Sequence, residues 1–402
     1  MVGDPELMGM TRQRLHDAIV FLLHVERRFE PFFRPAVDAV LREPLAALIQ
    51  AAINRGRRDE GLALAEERLQ PDEEVHLQAI IDTLGEYMRR HWRPGHYQRG
   101  GNTKTHGVVR ATFTVRDDLP PSYRRGLFAE PKTYPAWVRF SGPGPDWPRD
   151  IDDVGFVSCA IKVMGVPGPK LLDDEKFTQD FLSICTPTFV TPDTGANAKL
   201  QAWILKGTPL FYFADPRDSH WLDGLMQSLW NKTQSNPLGE RYWSCVPYLL
   251  GPGQAMMYSV YPRSKVYRRI PRLPLRPPDN YLRDNMVRTL NEQDVAFDFT
   301  LQLQTDPFRM PIENAAVRWP ERLSPFVPAA RLNIPRQRFA SPAQLAFADV
   351  LSYNPWHCLP EHRPLGNQSR ARRRMYWELS RLRQTINDKP HIEPTGTETF
   401  SA

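Results

Sequence analysis

The chain of 402 residues contains few cysteines and no long apolar run. Its four cysteines are widely spaced and form no CxxC pair, which excludes a zinc ribbon; they are Cys159, Cys185, Cys245 and Cys358. Scattered cysteines in a large chain are typical of a reducing compartment. The longest early apolar run, Ala18 to Leu23, is far too short to span a bilayer, and the N-terminus does not resemble a signal peptide. We therefore expect a cytoplasmic protein.

Several common catalytic motifs are also missing. The sequence has no GxSxG, P-loop or HExxH segment, and no GxGxxG follows a strand-like run. His357, Cys358 and His362 lie close together, but their spacing around a proline is poor for tetrahedral zinc. The net charge of +6, from 52 basic and 46 acidic residues, is compatible with an anionic ligand as well as with nucleic acid.

Proline is abundant, with 39 residues against 23 glycines, and one segment is especially rich in it. The segment Pro262 to Asn285 is predicted to form neither a central strand nor a helix, because its prolines remove backbone donors. We expect an extended basic arm that wraps the domain or a partner subunit of a homo-oligomer. Only Tyr267 and Tyr281 lie among its six arginines, too few for stacking on bases, so we expect no nucleic-acid partner.

Residues 10–95 are predicted to be helical. Leu15, Ile19, Leu22 and Leu23 recur at helical spacing in the first stretch. A second stretch begins at Pro71 and places its apolar side chains on one side: Leu77, Ile80, Ile81, Leu84 and Met88. Two interpretations stay open. The helices pack on a core, which is the more common outcome, or they form a basic amphipathic element at a membrane surface.

Strand-like segments follow from Gly100 onwards. HGVVRATFTV, YPAWVRFSG and GFVSCAIKVMGV are rich in β-branched and aromatic residues and are separated by Pro, Gly and Asp. The clearest strand is Ala296 to Thr305, in which apolar and polar side chains alternate strictly. Helices are predicted near residues 196–231 and again after Pro335. We expect an α+β protein in which helical residues 1–95, a strand-rich body 96–335 and helical residues 336–402 form one unit.

Two features near the first strands could carry chemistry. His106 lies at the entrance of a strand, with Thr105 beside it and Arg110 four residues later. A histidine in such a position is more often a structural hydrogen-bonding group than a catalyst. Arg139 lies inside an aromatic strand, where it points either to solvent, which the alternation favours, or to a buried anion.

A third feature lies in the C-terminal helix. Arg372 and Tyr376 are four residues apart and Arg383 follows after about two more turns, so all three share one face. The ordinary interpretation is a solvated basic helix whose tyrosine packs inward. Tyr353 is a second phenol nearby, but Asp349, four residues before it, favours its neutral form.

Taken in order, these pieces resemble the catalase superfamily of haem proteins. The resemblance rests on His106 before the first strand, Arg139 in VRFS, the segment DFLSICTPTF, and Arg372 with Tyr376 in RRRMY. YPAWVRFSG, AIKVMGVPG and NPWHCLPEHRPLGNQSRARRRMY are similar to the small catalase-related proteins, which lack the flavodoxin-like domain of some large catalases. The likeness covers residues 95–385 and implies a catalase-like antiparallel β-barrel with flanking helices.

The resemblance also implies a haem b cofactor and a role for each residue. Tyr376 would bind the haem iron as a phenolate, and Arg372 would hold it deprotonated, because a nearby cation lowers the pKa of a phenol. His106 would be the distal acid–base group, with Thr105 as its hydrogen-bond neighbour. The other implied contacts are to the haem propionates, from Arg139 and Arg383, and to the porphyrin, from Phe189.

Three departures from the family pattern lie on the distal side. Cys185 stands where the family has an asparagine, and a thiol cannot orient hydrogen peroxide as an amide does. Phe113 follows His106 by only seven positions, so the intervening stretch is shortened. Thr103 stands where the family has an arginine, so one propionate contact is missing or comes from Lys104 or Arg110.

These departures favour organic or fatty-acid hydroperoxides over hydrogen peroxide as substrates. Some catalase-related haem proteins are allene oxide synthases or other hydroperoxide-converting enzymes, and amphipathic N-terminal helices would bring such an enzyme to lipid. The alternative is a catalase-fold binding or scaffolding protein that has lost haem or turnover.

Overall fold

A computed structural model describes residues 5–215 and 217–400. The described residues form nine strands, β1 Thr105–Val115, β2 Thr133–Ser141, β3 Ser158–Met164, β4 Thr178–Ile184, β5 Tyr242–Trp243, β6 Tyr248–Leu249, β7 Ala255–Pro262, β8 Val295–Leu303 and β9 Val327–Ile334. They also form nine α-helices, α1 Pro5–Val40, α2 Arg42–Gly56, α3 Glu73–His91, α4 Thr194–Leu205, α5 Leu210–Ala214, α6 Trp221–Ser228, α7 Tyr281–Glu292, α8 Pro342–Val350 and α9 Asn367–Ile386.

The strands form a closed antiparallel barrel. They are hydrogen bonded in the order β5-β4-β3-β2-β1-β9-β8-β7-β6, and β5 also pairs with β7. This second pairing closes a ring of eight strands, while β6 extends β7 outside the ring. Closure removes the exposed strand edges on which other chains could pair. The α+β antiparallel barrel with flanking helices expected from the sequence is therefore confirmed.

The barrel interior is a dry aromatic core. Side chains of a strand alternate between its two faces, so Val138 and Phe140 point inward while Arg139 points outward. Phe113, Phe181 and Phe299 meet at the centre, with ring centroids 4.7–5.9 Å apart. The predicted strand Ala296 to Thr305 corresponds to β8, and its inward Phe299 is fully buried as the alternation predicts.

Helices cover the outside of the barrel. The apolar stripe predicted from Leu77 to Met88 is buried on α3, where it packs against Met375 and Leu379 of α9. The helices expected near residues 196–231 are α4, α5 and α6, and those expected after Pro335 are α8 and α9. None of the described helices is long and apolar enough to cross a membrane.

Two expectations about the periphery are wrong. The helix predicted over the first stretch exists as α1, but Leu15, Ile19, Leu22 and Leu23 face solvent instead of the core. The reason is that the polar side of α1, not its apolar side, contacts the segment after α6 at Asn231 and Thr233. The arm is extended only as far as Asn280, because beyond Pro278 no proline blocks helix hydrogen bonds and α7 begins.

Candidate functional site

The candidate site lies on the outer face of β2, β3 and β4, where Arg383 of helix α9 comes near Arg139. Arg139 of β2 is directly opposite Ala160 of β3, and Ala160 is opposite Leu182 of β4, so these three side chains form one outward row. Ala160, Leu182 and the next outward residue of β4, Ile184, are only half-buried although they lie within the sheet. Together they form an apolar floor that keeps some accessible surface. The guanidinium of Arg139 lies at one end of this floor.

Three arginines meet at this end of the floor. Arg139 is 2% exposed and donates to Thr105 Oγ1 at 2.8 Å and to the carbonyl of Asn102 at 2.7 Å. Arg383 donates to the backbone carbonyl of Asp349, and Arg99 donates to the carbonyls of Ala348 and Leu351 (2.7 and 2.6 Å). These partners are all uncharged atoms, and none of the three guanidiniums forms an ion pair within the described chain.

The positive charges of this arginine cluster (Arg99, Arg139 and Arg383) are buried close together. Burial and the charge of Arg99 lower the pKa of Arg139 well below its ordinary value, and the same two causes lower the pKa of Arg383 to about 9. The carboxylate of Asp349 raises the pKa of all three without forming an ion pair with any of them. Arginine stays protonated at neutral pH, so the lowered pKa values measure how poorly these charges are compensated.

The resemblance did not indicate Arg99. This arginine supplies the cation that was expected near the cluster but for which Thr103 offers no charge. It precedes His106 by seven positions, whereas the family arginine precedes the histidine by three, and no local pattern marks it. The two substitutes proposed from the sequence lie elsewhere. Lys104 is paired with Asp150 at 2.7 Å. Arg110 stacks on Trp137 and donates to carbonyls of the C-terminal tail.

A fourth cation lies in α9, nearer the start of the helix than Arg383. Arg372 is 7% exposed, its guanidinium lies 5.1 Å above the ring of Phe189, and its Nη1 has no hydrogen-bond partner within the described chain. Burial opposes the charge of Arg372, but the phenols of Tyr376 and Tyr248 raise its pKa above the ordinary value. Tyr376 itself is half-buried between this arginine and the α3–α9 contact.

Helix geometry fixes how these groups are spaced. Arg372, Tyr376 and Arg383 share one face of α9, as predicted, and the eleven residues from the first to the last span about 16 Å. The phenol therefore lies between a lone arginine near Phe189 and the arginine cluster. Arg139 is buried, so the solvent-facing interpretation favoured by alternation is wrong: the outer face of the barrel is itself covered by helices.

His106 is buried beside the cluster with both ring nitrogens free. It is 1% exposed, neither Nδ1 nor Nε2 has a hydrogen-bond partner within the described residues, and Nδ1 is 3.8 Å from Asp150. Burial, followed by the charges of Lys104 and Arg283, lowers its pKa well below the ordinary value, so the ring is neutral. The hydroxyl of Thr105 accepts from Arg139 instead of bonding to His106, so it is part of the arginine cluster.

Cys185 faces the barrel core and not the apolar floor. Its sulfur accepts from the backbone N–H of Val157 at 3.1 Å and from the amide of Gln234 at 3.4 Å. Burial raises the pKa of the thiol to about 12, so it is uncharged. The residue that replaces the family's asparagine therefore offers no strong hydrogen-bond donor to a ligand.

The competing phenol, Tyr353, is held neutral. Its hydroxyl is buried without a partner in the described chain, and burial raises its pKa strongly even though Arg139 and Arg99 oppose this. Its ring is 5.5 Å from the ammonium of Lys162.

That lysine belongs to an acidic cluster with the composition of a metal site. Glu175, Asp180 and His357 lie close enough to share an ion. However, the ammonium of Lys162 contacts both carboxylates, at 2.8 Å for Asp180, and already supplies the positive charge. The cluster is therefore a buried ion-pair network beside the site. Cys358 and His362 take no part in it.

Comparisons with known proteins place this architecture. No protein-family model matches the sequence, and no curated protein is similar to it. Solved structures do match: catalase A from Saccharomyces cerevisiae has a TM-score of 0.59 at 15% identity, covering 86% of this chain and 72% of that one. A fungal catalase has a TM-score of 0.58 at 14% identity, with 86% and 70% covered. A bacterial catalase has a TM-score of 0.53 at 14% identity, with 87% and 74% covered. At these identities the likeness establishes a catalase-like fold.

Proposed function

We propose that this chain is a b-type haem protein that acts on peroxides, with organic hydroperoxides preferred over hydrogen peroxide. The observation that carries the proposal is the arginine cluster, three cations without carboxylate partners among the described residues, on the same side of α9 as Tyr376. Placing such charges in a protein interior is costly unless an anion compensates them. A flat apolar group that carries two carboxylates at one edge fits both the cluster and the apolar floor.

The residues present fit a haem in three respects. Arg99, Arg139 and Arg383 would bind the propionates through charge-assisted hydrogen bonds. Tyr376 would ligate the iron, and the guanidinium of Arg372, whose Nη1 has no partner within the described chain, would lie beside this ligand. Phe189 would contact the porphyrin beside Arg372. When bound, the haem supplies an iron that cleaves the O–O bond of a peroxide.

His106 would accept the proton of the peroxide and then donate it to the departing oxygen. Because the ring is neutral, one nitrogen accepts the hydroperoxide proton while the other carries the ring hydrogen. Its lowered pKa keeps this base available well below neutral pH. The proton accepted at the ring then passes to the departing oxygen, which avoids releasing an alkoxide or hydroxide into a buried site.

The substrate preference rests on what surrounds this base. A small peroxide needs a hydrogen-bond donor to orient it, and Cys185 supplies none on the apolar floor. A larger organic hydroperoxide is positioned by apolar contact with side chains such as Ile184, which costs no hydrogen bond.

The near-complete burial of His106 favours a second candidate, a binding protein without turnover, because a peroxide must reach a ring that is 1% exposed.

Reconstitution with haemin tests the proposal. A Soret band is expected, and Tyr376→Phe should shift it by removing the ligand oxygen. Tyr353→Phe is the matched control, a neighbouring phenol held neutral, and should leave the band unchanged. Arg139→Gln should weaken haemin binding by roughly 30-fold, since it deletes one buried ionic contact.

The outcome then separates the candidates. A protein that stays colourless with haemin overturns the haem assignment. A Soret band that shifts with Tyr353→Phe instead of Tyr376→Phe overturns the assignment of Tyr376 as the iron ligand. Stopped-flow mixing with a fatty-acid hydroperoxide and with hydrogen peroxide compares the substrates. Faster reaction with hydrogen peroxide contradicts the preferred substrate class, and bleaching by both without product leaves the binding protein.

A further inference from the structure

Helix α1 presents its apolar side to solvent. Phe21, Leu22, Phe29, Phe32 and Val40 are each between 50% and 69% exposed. The apolar surface continues onto α2, and together we call it the outer apolar face: Ile19, Phe21, Leu22, Val25, Phe29, Phe32, Phe33, Val37, Val40, Leu41, Leu45 and Leu48. Its four phenylalanines alone leave about 450 Å² uncovered, if a fully exposed ring presents about 200 Å². Soluble monomers rarely expose a larger contiguous patch.

Polar contacts hold α1 in this orientation. Glu30 is 2% exposed and accepts from the backbone N–H and hydroxyl of Thr233 at 2.6 and 2.9 Å. Arg34 donates to the carbonyl of Asn231 at 2.9 Å, and Arg27 donates to the amide oxygen of the same residue at 3.1 Å. Rotating the helix to bury its apolar side would break these contacts and leave buried charges unpaired, so the apolar side is available to a partner.

A basic strip borders the outer apolar face. Arg28 of α1 donates to the backbone carbonyls of Pro274 and Leu275 at 3.4 and 3.1 Å, which ties the extended arm to the edge of the helix. Leu275 is 87% exposed beside this contact. Two cations that flank this contact, Arg272 and Arg276, are exposed and form no ion pair with any described residue. We call them the basic strip.

We propose that the outer apolar face and the basic strip together bind the surface of an anionic lipid bilayer. The apolar side chains would enter the boundary between headgroups and acyl chains, while the strip contacts anionic headgroups. A bilayer fits the charges better than a second copy does. The exposed acids within residues 19–48 are Glu26 and Glu43, and Glu43 is already paired with Arg318, so a symmetric partner would offer the strip few counter-charges.

This inference goes beyond the proposed function and does not depend on haem. The proposed contact is made by the exposed side chains of α1 and α2 and by the basic strip. If the proposed function also holds, the contact brings the site to the phase in which lipid hydroperoxides form.

Vesicle flotation of the purified full chain tests the proposal. Phosphatidylcholine vesicles with and without phosphatidylserine are the probes, and binding is expected to be stronger with phosphatidylserine. Phe29→Ser combined with Phe32→Ser should weaken binding to the anionic vesicles by about tenfold or more. The matched control is Phe177→Ser, an exposed phenylalanine outside the outer apolar face, which should not change flotation.

The charge contribution has its own pair of variants. Arg272→Gln combined with Arg276→Gln should weaken binding to anionic vesicles by roughly 30-fold, at about 1 kcal/mol for each cation near the surface. Arg93→Gln with Arg336→Gln, two exposed arginines of other segments, should have no effect. Absence of flotation with either vesicle overturns the proposal. Sedimentation velocity that shows a dimer abolished by the Phe29/Phe32 variant would assign the face to a second copy instead.

Discussion

Replacing Arg383 by methionine is expected to stabilise the haem-free protein, although the arginine makes several hydrogen bonds. Burial and the charge of Arg99 lower the pKa of Arg383 from 12.5 to about 9. Each pKa unit corresponds to about 1.4 kcal/mol, so the buried charge costs at most roughly 5 kcal/mol at neutral pH. Losing the hydrogen bonds to the carbonyls of Asp349 and Leu351 offsets part of the stabilisation gained by removing this charge. We expect a net gain of about 1–3 kcal/mol.

The sign of this effect follows from the direction of the pKa change. A basic group whose pKa is lower in the folded state binds its proton less tightly there, so its charge destabilises the fold at every pH below about 9. Stability would recover only as the pH rises above that value. Methionine removes the charge and keeps most of the side-chain volume, so the gain should be visible at neutral pH.

Arg370 on the same helix is the matched control. It forms ion pairs with Glu67, Glu73 and Glu313 at 2.7, 2.8 and 3.0 Å, and these carboxylates raise its pKa against the effect of burial. Arg370→Met leaves Glu73 and Glu313 without their cation and should destabilise the fold by about 3–5 kcal/mol. The two substitutions therefore shift the free energy of unfolding in opposite directions.

Urea unfolding followed by circular dichroism measures both variants, first without and then with haemin. A bound ligand stabilises by an amount set by its affinity, so haemin should stabilise Arg383→Met less than the original chain. If Arg383→Met destabilises the haem-free protein as Arg370→Met does, the charge of the arginine cluster is compensated after all and the argument for an anion site fails.

Two further predictions concern the surroundings of the site. Burial opposes protonation of His357, but hydrogen bonds to Asp174 and Asp180 raise its pKa to about 9, so its roughly 3 kcal/mol of stability should be complete below pH 6.5 and lost as the pH rises through about 9. His357→Gln should flatten this part of the stability–pH curve, and an unchanged slope would contradict it. Gly366, which precedes α9, has φ +84°, and an added Cβ would collide with the carbonyl of Ile312. Gly366→Ala should lower the free energy of unfolding by more than about 1 kcal/mol in urea titrations.

Each of these predictions has a control in the same chain. His96→Gln changes an exposed histidine and should leave the pH dependence as it is. Gly56→Ala adds a Cβ where nothing lies within 4 Å and should be tolerated. If Gly366→Ala behaves like Gly56→Ala, the start of α9 is adaptable and the position of its arginines is less constrained than we infer.

Much of the fold could be read from local patterns. The alternation of Phe297, Phe299 and Leu301 identifies β8, because one face of a barrel strand must be apolar. The apolar stripe from Leu77 to Met88 identifies α3 in the same way, because apolar residues that recur with the helical period form one buried face of a helix. The helical period of α1 was also predicted correctly, but it could not tell which side of the helix contacts the rest of the protein. That choice depends on Asn231 and Thr233, some 200 residues later, which bind the polar side.

Only one part of the candidate site could be predicted from the sequence, the part whose side chains are positioned by their spacing along a single helix. Arg372, Tyr376 and Arg383 share a face because helical geometry is the same in any context. Arg99 gave no signal, since it reaches the site from a loop and bonds to carbonyls near residue 350. Arg110 was placed near the site by its distance from His106 along the chain, yet its side chain extends to the C-terminal tail.

By itself, the sequence determined the class of the fold, the strands and helices with strong periodicity, and the face of α9 that carries its phenol and cations. These properties follow from the fixed repeat of a backbone element, which local residues are enough to express. Only the tertiary structure decided that Arg99, Arg139 and Arg383 converge without a carboxylate, that Thr105 belongs with them, and that α1 turns its apolar side outward. Each of these depends on groups far apart in the chain, and the uncompensated charge they create exists only when the barrel and its helices are assembled.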